Sequence, residues 1–442
     1  MAAYTDREAF IPYRRAQIVE LCASDDRFSA IEARQFREFC QVLAAFYHFK
    51  LHRISEIVKE NFDPFNPDSE TRMPYQLTAE ERDRASAELA KSFGQLLERA
   101  NYVPVPDASL QRALMERSLI DLRTDVDLDD FERVVCYCRG DIYKKTKVKK
   151  WVFWKKEIVV DIFERVALLL HFKDEDYFHQ KGKVEDLEFS PGKVYAYLYK
   201  NVPKLDIDLL FPNVKISMTW KDRLLFAVPA VGAAVPLLIK ILPQLLLIFS
   251  AILFAVGLAS QFDEMTTREE NIRDMMTILV ATLSLCMALG GFAFKQYSSY
   301  KSKKIQFQKK VTDTLFFKNM STNGCVFQTL LDAAEEEECK EIILVYYHLT
   351  IAPEPLTPAE LDDRIEDWME EKFGTKIDFD INGPLQNLAE IRGKLSGDTD
   401  APEVPLMAYD DRDRCQVVSV NEAKTIIDYV WDRAFSYADH LQ

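Results

Sequence analysis

His48, His52 and Glu56 recur every four residues. On a helix that spacing puts all three on one face, the arrangement a bound metal needs. No Cys/His cluster elsewhere offers the missing ligand, so a polar helix face is the plainer reading. Cys136 and Cys138 point the same way from a strand. They could form a redox or metal pair, but two buried core cysteines fit the spacing better. Asp63, Asn66, Asp68 and Glu70 offer oxygen ligands. They lack the alternate positions and central glycine of a calcium loop, so this stretch reads as a Pro/Asp turn. Arg139 sits at the end of a strand, in Arg139-Gly140-Asp141. It could hold an anion or a buried carboxylate, and the ion pair is preferred. The P-loop, nucleophile-elbow, zincin and dinucleotide-binding motifs are absent. Thirteen glycines are few for phosphate-cradling loops. No catalytic, cofactor or metal residue is therefore assigned, and a non-enzymatic role is expected.

The strongest positive signal is basic and aromatic. Lys144, Lys145, Lys147, Lys149, Lys150, Lys155 and Lys156 enclose Trp151 and Trp154, with no acidic residue among them. Lysines near an anionic bilayer gain about 1 kcal/mol each, and tryptophan favours the headgroup layer. These nine residues are candidates for anionic-lipid contact. A solvated hairpin tip and a nucleic-acid patch are the competing readings. The net charge of −15 and an acidic C-terminal region argue against the latter: 22 acidic and 9 basic residues follow from Glu341 onward. That region suits a basic protein partner.

The elements that must position these groups change character along the chain. Residues 1–130 read as helical, with apolar spacing over Ser29–Ile57 and a capping box at Thr78 and Glu81. From 131 to 220 come short β-rich runs: Val134–Cys138, Trp151–Phe153, Ile158–Phe163, Val166–Phe172, Val194–Tyr199 and Val214–Met218. Residues 221–300 hold two apolar segments, Leu224–Phe262 and Met275–Phe294, joined by a polar link. About 20 apolar residues suffice to cross a bilayer, so spans are expected near 241–262 and 275–294. Pro229, Pro236 and Pro243 kink the approach to the first span, and Lys240 interrupts it. These four residues mark the part of the membrane region that would do more than anchor. Lysines flank the pair and acids fill the link, which places both termini on the cytoplasmic or matrix side. Residues 301–442 read as an acidic, winged-helix-like helical module.

The expected fold is thus an α+β membrane protein with an N-terminal helical region, a small β-rich domain, a two-helix transmembrane hairpin and that module. Scattered cysteines without a disulfide framework point to a reducing compartment. Neither a secretory signal nor a transit peptide is evident at the start of the sequence. The bacterial inner membrane is the expected location, with an organelle membrane as alternative.

Several stretches resemble the domain of unknown function 3754 family. They are Tyr197-Leu-Tyr-Lys-Asn-Val-Pro203, Leu210-Phe-Pro212, Asp222-Arg223-Leu224, Tyr300-Lys301, Leu315-Phe-Phe-Lys-Asn319, Tyr137-Cys-Arg-Gly140, and Ile427-Asp428 with Trp431-Asp432. The resemblance implies a two-span membrane protein and no particular activity. Function is therefore expected to be that of an anchored scaffold or regulatory adaptor, free of cofactors and open to homo-oligomers. An oligomeric pore along the kinked first span and an enzyme with an unrecognised site are the alternatives.

Overall fold

Four capping boxes set where four of the helices begin. Ser29 and Glu32 cap the 33-residue helix Ala30–Phe62. Thr78 and Glu81 cap Ala79–Arg99, Thr357 and Glu360 cap Pro358–Phe373, and Ser419 and Glu422 cap Val420–Asp432. Each box satisfies two backbone donors that a bare helix end leaves open. In chain order the helices are α1 (Arg15–Ala23), α2 (Ala30–Phe62), α3 (Ala79–Arg99), α4 (Glu175–Gln180), α5 (Gly324–Thr350), α6 (Pro358–Phe373), α7 (Asn382–Glu390) and α8 (Val420–Asp432). The computed structural model describes residues 9–106, 123–217 and 315–433 except for 73, 74, 76, 152, 153, 183–186, 188 and 397–400, together with scattered positions between 280 and 312.

The described residues fall into two compact units. The first draws on Met1–Arg112, Asp127–Lys204 and Lys318–Gln442. Its sheet is antiparallel throughout. The strand order is β1 (Val103–Pro104), β3 (Phe131–Trp151), β4 (Trp154–Phe172), β5 (Val194–Pro203) and β7 (Asn319–Thr322). One apolar cluster joins the end of α2, α3 and the start of α5 to this sheet, through Leu51, Phe62, Phe93, Leu97, Leu169, Leu198 and Leu330. A second joins α1, the start of α2 and the end of α5 to α6, α7 and α8, through Phe36, Leu43, Ile343, Tyr346, Ile365, Leu388 and Ile426. The helix α5 therefore belongs to both clusters. The other unit draws on Ala113–Val126 and Leu205–Phe317. It pairs β2 (Arg123–Asp125) with β6 (Lys215–Ser217) and holds helical residues between 280 and 317.

Two strand readings merge in the structure. Val134–Cys138 and Trp151 belong to the 21-residue β3, with 152 and 153 outside the described residues, whereas Ile158–Phe163 and Val166–Phe172 belong to the 19-residue β4. Gly140 hides this continuity. It sits inside β3 at φ +77°, and a Cβ there would lie 2.4 Å from Glu164 Cβ. Only glycine combines that backbone with that approach. Gly140→Ala should lower unfolding free energy by about 2–5 kcal/mol, the sum of a left-handed penalty and an overpacking penalty. Urea denaturation measures the loss; an unchanged midpoint would contradict the assigned backbone.

The membrane architecture expected from the apolar segments is corrected. Among the described residues no helix is long and apolar enough to cross a membrane. The segment 241–262, together with Pro229, Pro236, Lys240 and Pro243, lies outside the described residues. Within 275–294 the described positions are scattered between 280 and 294, and those are helical. The expected α+β membrane fold is thus a mixed helix and sheet fold built on a five-stranded antiparallel sheet, and the expected inner-membrane placement loses the spans on which it rested.

Candidate functional site

Beyond residue 142 the ladder between β3 and β4 continues without neighbours among the described residues. The ladder of β1 touches β3 only at Tyr137 and Cys138, and that of β5 reaches β4 only as far as Ile162. From Tyr143↔Asp161 to Trp151↔Trp154 the two strands form a ribbon on their own. Nine residues at about 3.3 Å each give it a reach of about 30 Å. Its root is pinned in the first unit by Lys204, whose Nζ lies 2.7 Å from Asp141 Oδ2 and 3.0 Å from Asp161 Oδ2.

All nine basic and aromatic candidates fall on this ribbon. Directly opposed residues share a face and successive residues alternate. In the register Lys145 stands opposite Val159, Lys147 opposite Glu157, Lys149 opposite Lys155, Lys144 opposite Val160, Thr146 opposite Ile158 and Val148 opposite Lys156. Lys150 falls in the register shift between Lys149 and Trp151, and Trp151 pairs with Trp154 at the tip. Like charges placed opposite each other weaken a ladder, and a lone two-stranded ribbon is marginal in water. Both features leave this element short of stability by itself.

The other sequence candidates are dispersed into ordinary structural roles. His48 Nδ1 lies 2.7 Å from Glu335 Oε2, while Glu56 pairs with Lys59 at 2.8 Å. His52 Nε2 stands 4.0 Å from Glu56. His48 therefore turns to Glu335 while His52 stays beside Glu56, and among the described residues no group of His, Cys, Asp and Glu is placed to hold a metal. Cys136 and Cys138 are buried free thiols opposite Leu168 and Val166. Burial pushes the Cys136 thiol well above its ordinary range, which makes it inert. Asp63 joins Ser69 and Thr71 in a turn. The Arg139 guanidinium lies 3.8 Å from the Phe10 ring centre and 4.8 Å from that of Tyr102 and donates to Ala100 O. It packs by cation–π contact, and the carboxylate partner expected from sequence is replaced by rings and a carbonyl.

Two arrangements escape the sequence reading. The first is a charged seam on α5, between its two apolar clusters. Lys340 and Glu337 are each 2% exposed and pair at 2.6 Å. Lys340 Nζ also donates to Ile11 O at 2.6 Å, and Ile11 N donates to Glu337 Oε2 at 3.2 Å. Arg99 reaches Glu338 at 3.0 Å, and the backbone N–H of Arg15 donates to Glu336. The signal was present as Glu335-Glu336-Glu337-Glu338. Four consecutive helical residues cover most of the circumference, so some of these acids must face inward.

Glu341 closes the seam. Asn101 Nδ2 donates to its Oε1 at 2.9 Å. Burial raises its pKa to about 8; the Asn101 hydrogen bond opposes this, and Glu337, Glu338 and Asp380 add to it. The folded pKa lies above the unfolded one, so the folded state holds the extra proton. Stability from this group is present below pH 4.5 and is lost as pH rises toward 8. The loss should be on the order of 2 kcal/mol once its partial exposure is discounted. Glu341→Gln should flatten the decline between those pH values in urea titrations. An equally steep decline in the variant would assign it elsewhere.

The second arrangement is a cleft of ≈ 490 Å³ beside the end of α5, lined by His348 and by α6 residues including Asp363, Arg364, Asp367 and Trp368. His348 is 2% exposed. Neither of its ring nitrogens has a hydrogen-bond partner. A single histidine in an apolar helical run carries no sequence signature of such a place.

The family model described as "Protein of unknown function (DUF3754)" matches residues 163–324. The match begins in β4 just past the ribbon root and ends at the first residue of α5. No solved structure matches the chain.

Proposed function

We propose that this chain, a member of the domain of unknown function 3754 family, is a non-catalytic adaptor that docks on an anionic lipid surface through the β3–β4 ribbon. Its acidic C-terminal helices then face a basic protein partner. The observation that carries the reading is the ribbon itself. Seven lysines and two tryptophans stand on the outer stretch of β3 and β4, which no third strand flanks among the described residues. An anionic surface relieves the opposition of Lys149 and Lys155 and gains about 1 kcal/mol for each lysine near it. The paired tryptophans at the tip suit the headgroup layer. The family description assigns no competing activity.

Co-sedimentation of the full chain with vesicles tests the proposal. Binding should require phosphatidylserine, fall with salt, and weaken when the seven lysines become glutamine. Equal binding to neutral and anionic vesicles would overturn it.

A further inference from the structure

His348 is a buried side chain without a protein partner, and its cleft carries charges that internal pairs do not consume. A neutral imidazole has one donor and one acceptor nitrogen. Leaving both open in a buried site is costly. The neutral form holds here: burial lowers the His348 pKa to about 3, helped by Arg364 and Arg27 and opposed by Asp25. The Trp368 ring stands 5.5 Å from the imidazole at 83°.

The charges around the cleft sort into used and unused groups. Arg27 is held by Asp25, at 2.7 and 2.6 Å. Glu360 accepts from Thr357 at the α6 cap, and Glu371 pairs with Lys372 at 3.4 Å. Asp363, Asp367 and Arg364 have no hydrogen bond or ion pair among the described residues. Two free carboxylates against one free guanidinium, with the Glu360 charge beside them, leave the cleft net negative. That balance disfavours an anion. It favours a cation with several N–H donors and a flat face.

We propose that this cleft receives the guanidinium of an arginine side chain from a basic partner peptide. Guanidinium offers five donors in a plane and stacks on aromatic faces, which an ammonium does not. One donor serves the acceptor nitrogen of His348, and others serve Asp363 and Asp367. The N–H of His348 meets a carbonyl of the same peptide. The inference rests on the partner-binding half of the proposed function and names its ligand. Its chemistry agrees with the excess of acids after Glu341.

Calorimetric titration of the full chain with the blocked tripeptides Gly-Arg-Gly and Gly-Lys-Gly, and with inorganic phosphate, tests it. The arginine peptide should bind more tightly than the lysine peptide, and phosphate should not bind. Asp363→Asn with Asp367→Asn alters exposed, unpaired groups, so the fold should hold; arginine-peptide affinity should drop about fivefold or more. His348→Phe should abolish binding while raising the melting temperature, since two orphaned polar atoms disappear. Arginine-peptide binding that survives both variants would place the ligand elsewhere on the acidic face and overturn the cleft, leaving the partner reading in force. Silence toward both basic peptides would overturn both. Phosphate binding blocked by the lysine peptide would reverse the charge assignment.

Discussion

Lys340→Met should cost about 3–5 kcal/mol of stability, because it strands the Glu337 carboxylate in a buried site. Both side chains are 2% exposed, and their companions there include Ile11 backbone groups, Asn101 and the Phe10 ring. Burial already raises the Glu337 pKa, and Lys340 and Arg139 pull it back. Without Lys340 the carboxyl loses its main counter-charge and its pKa rises further. The folded pKa lies above the unfolded one, so the deficit is smallest at acid pH and grows as pH rises. The double variant Glu337→Leu with Lys340→Met should recover much of the loss, since replacing a buried pair is gentler than halving it. Denaturant unfolding of wild type, single and double variants at pH 5 and pH 8 measures this. A single variant within 1 kcal/mol of wild type at pH 8 would mean the pair is open to water. The seam also fixes the segment around Ile11 against α5, so amide exchange at Ile11 should rise in the single variant.

Neutralising the ribbon has the second large effect. Seven lysines at about 1 kcal/mol each give an upper bound near 7 kcal/mol on anionic vesicles. Screening and incomplete contact reduce this. Replacement of Lys144, Lys145, Lys147, Lys149, Lys150, Lys155 and Lys156 by glutamine should still weaken binding at least about a hundredfold. The stability of the chain should hardly change, because β3 and β4 pair over ten further positions with β5 beside them. Loss of binding with a lowered melting temperature would instead indicate a ribbon packed within the fold.

Local signals were legible where chemistry is local. Thr78 with Glu81 marked the start of α3, and the apolar spacing after Ser29 marked α2. Ile31 stood in that apolar series yet is 72% exposed, since a first-turn residue can sit beyond the reach of the core. The basic cluster at 144–156 was visible as composition, but its ribbon was not. Lysines carry little strand preference, and a glycine in the left-handed region interrupts the run at Gly140. The seam and the His348 cleft depend on contacts between residues hundreds of positions apart, such as Ile11 with Glu337. No window of sequence holds those. The apolar segments misled for a related reason: hydropathy measures aversion to water and is silent on how long a helix results.

Brominated-lipid quenching reports most directly on ribbon docking. Replacing Trp220, Trp368 and Trp431 by phenylalanine leaves Trp151 and Trp154 as the only fluorophores of that kind. Docking at the tip should make their emission shift to the blue and be quenched by bromine near the headgroup layer of anionic vesicles. Both signals should vanish with neutral vesicles and with the seven-glutamine variant. Emission that stays unquenched while the chain co-sediments with anionic vesicles would show that the ribbon tip is not the part that touches lipid.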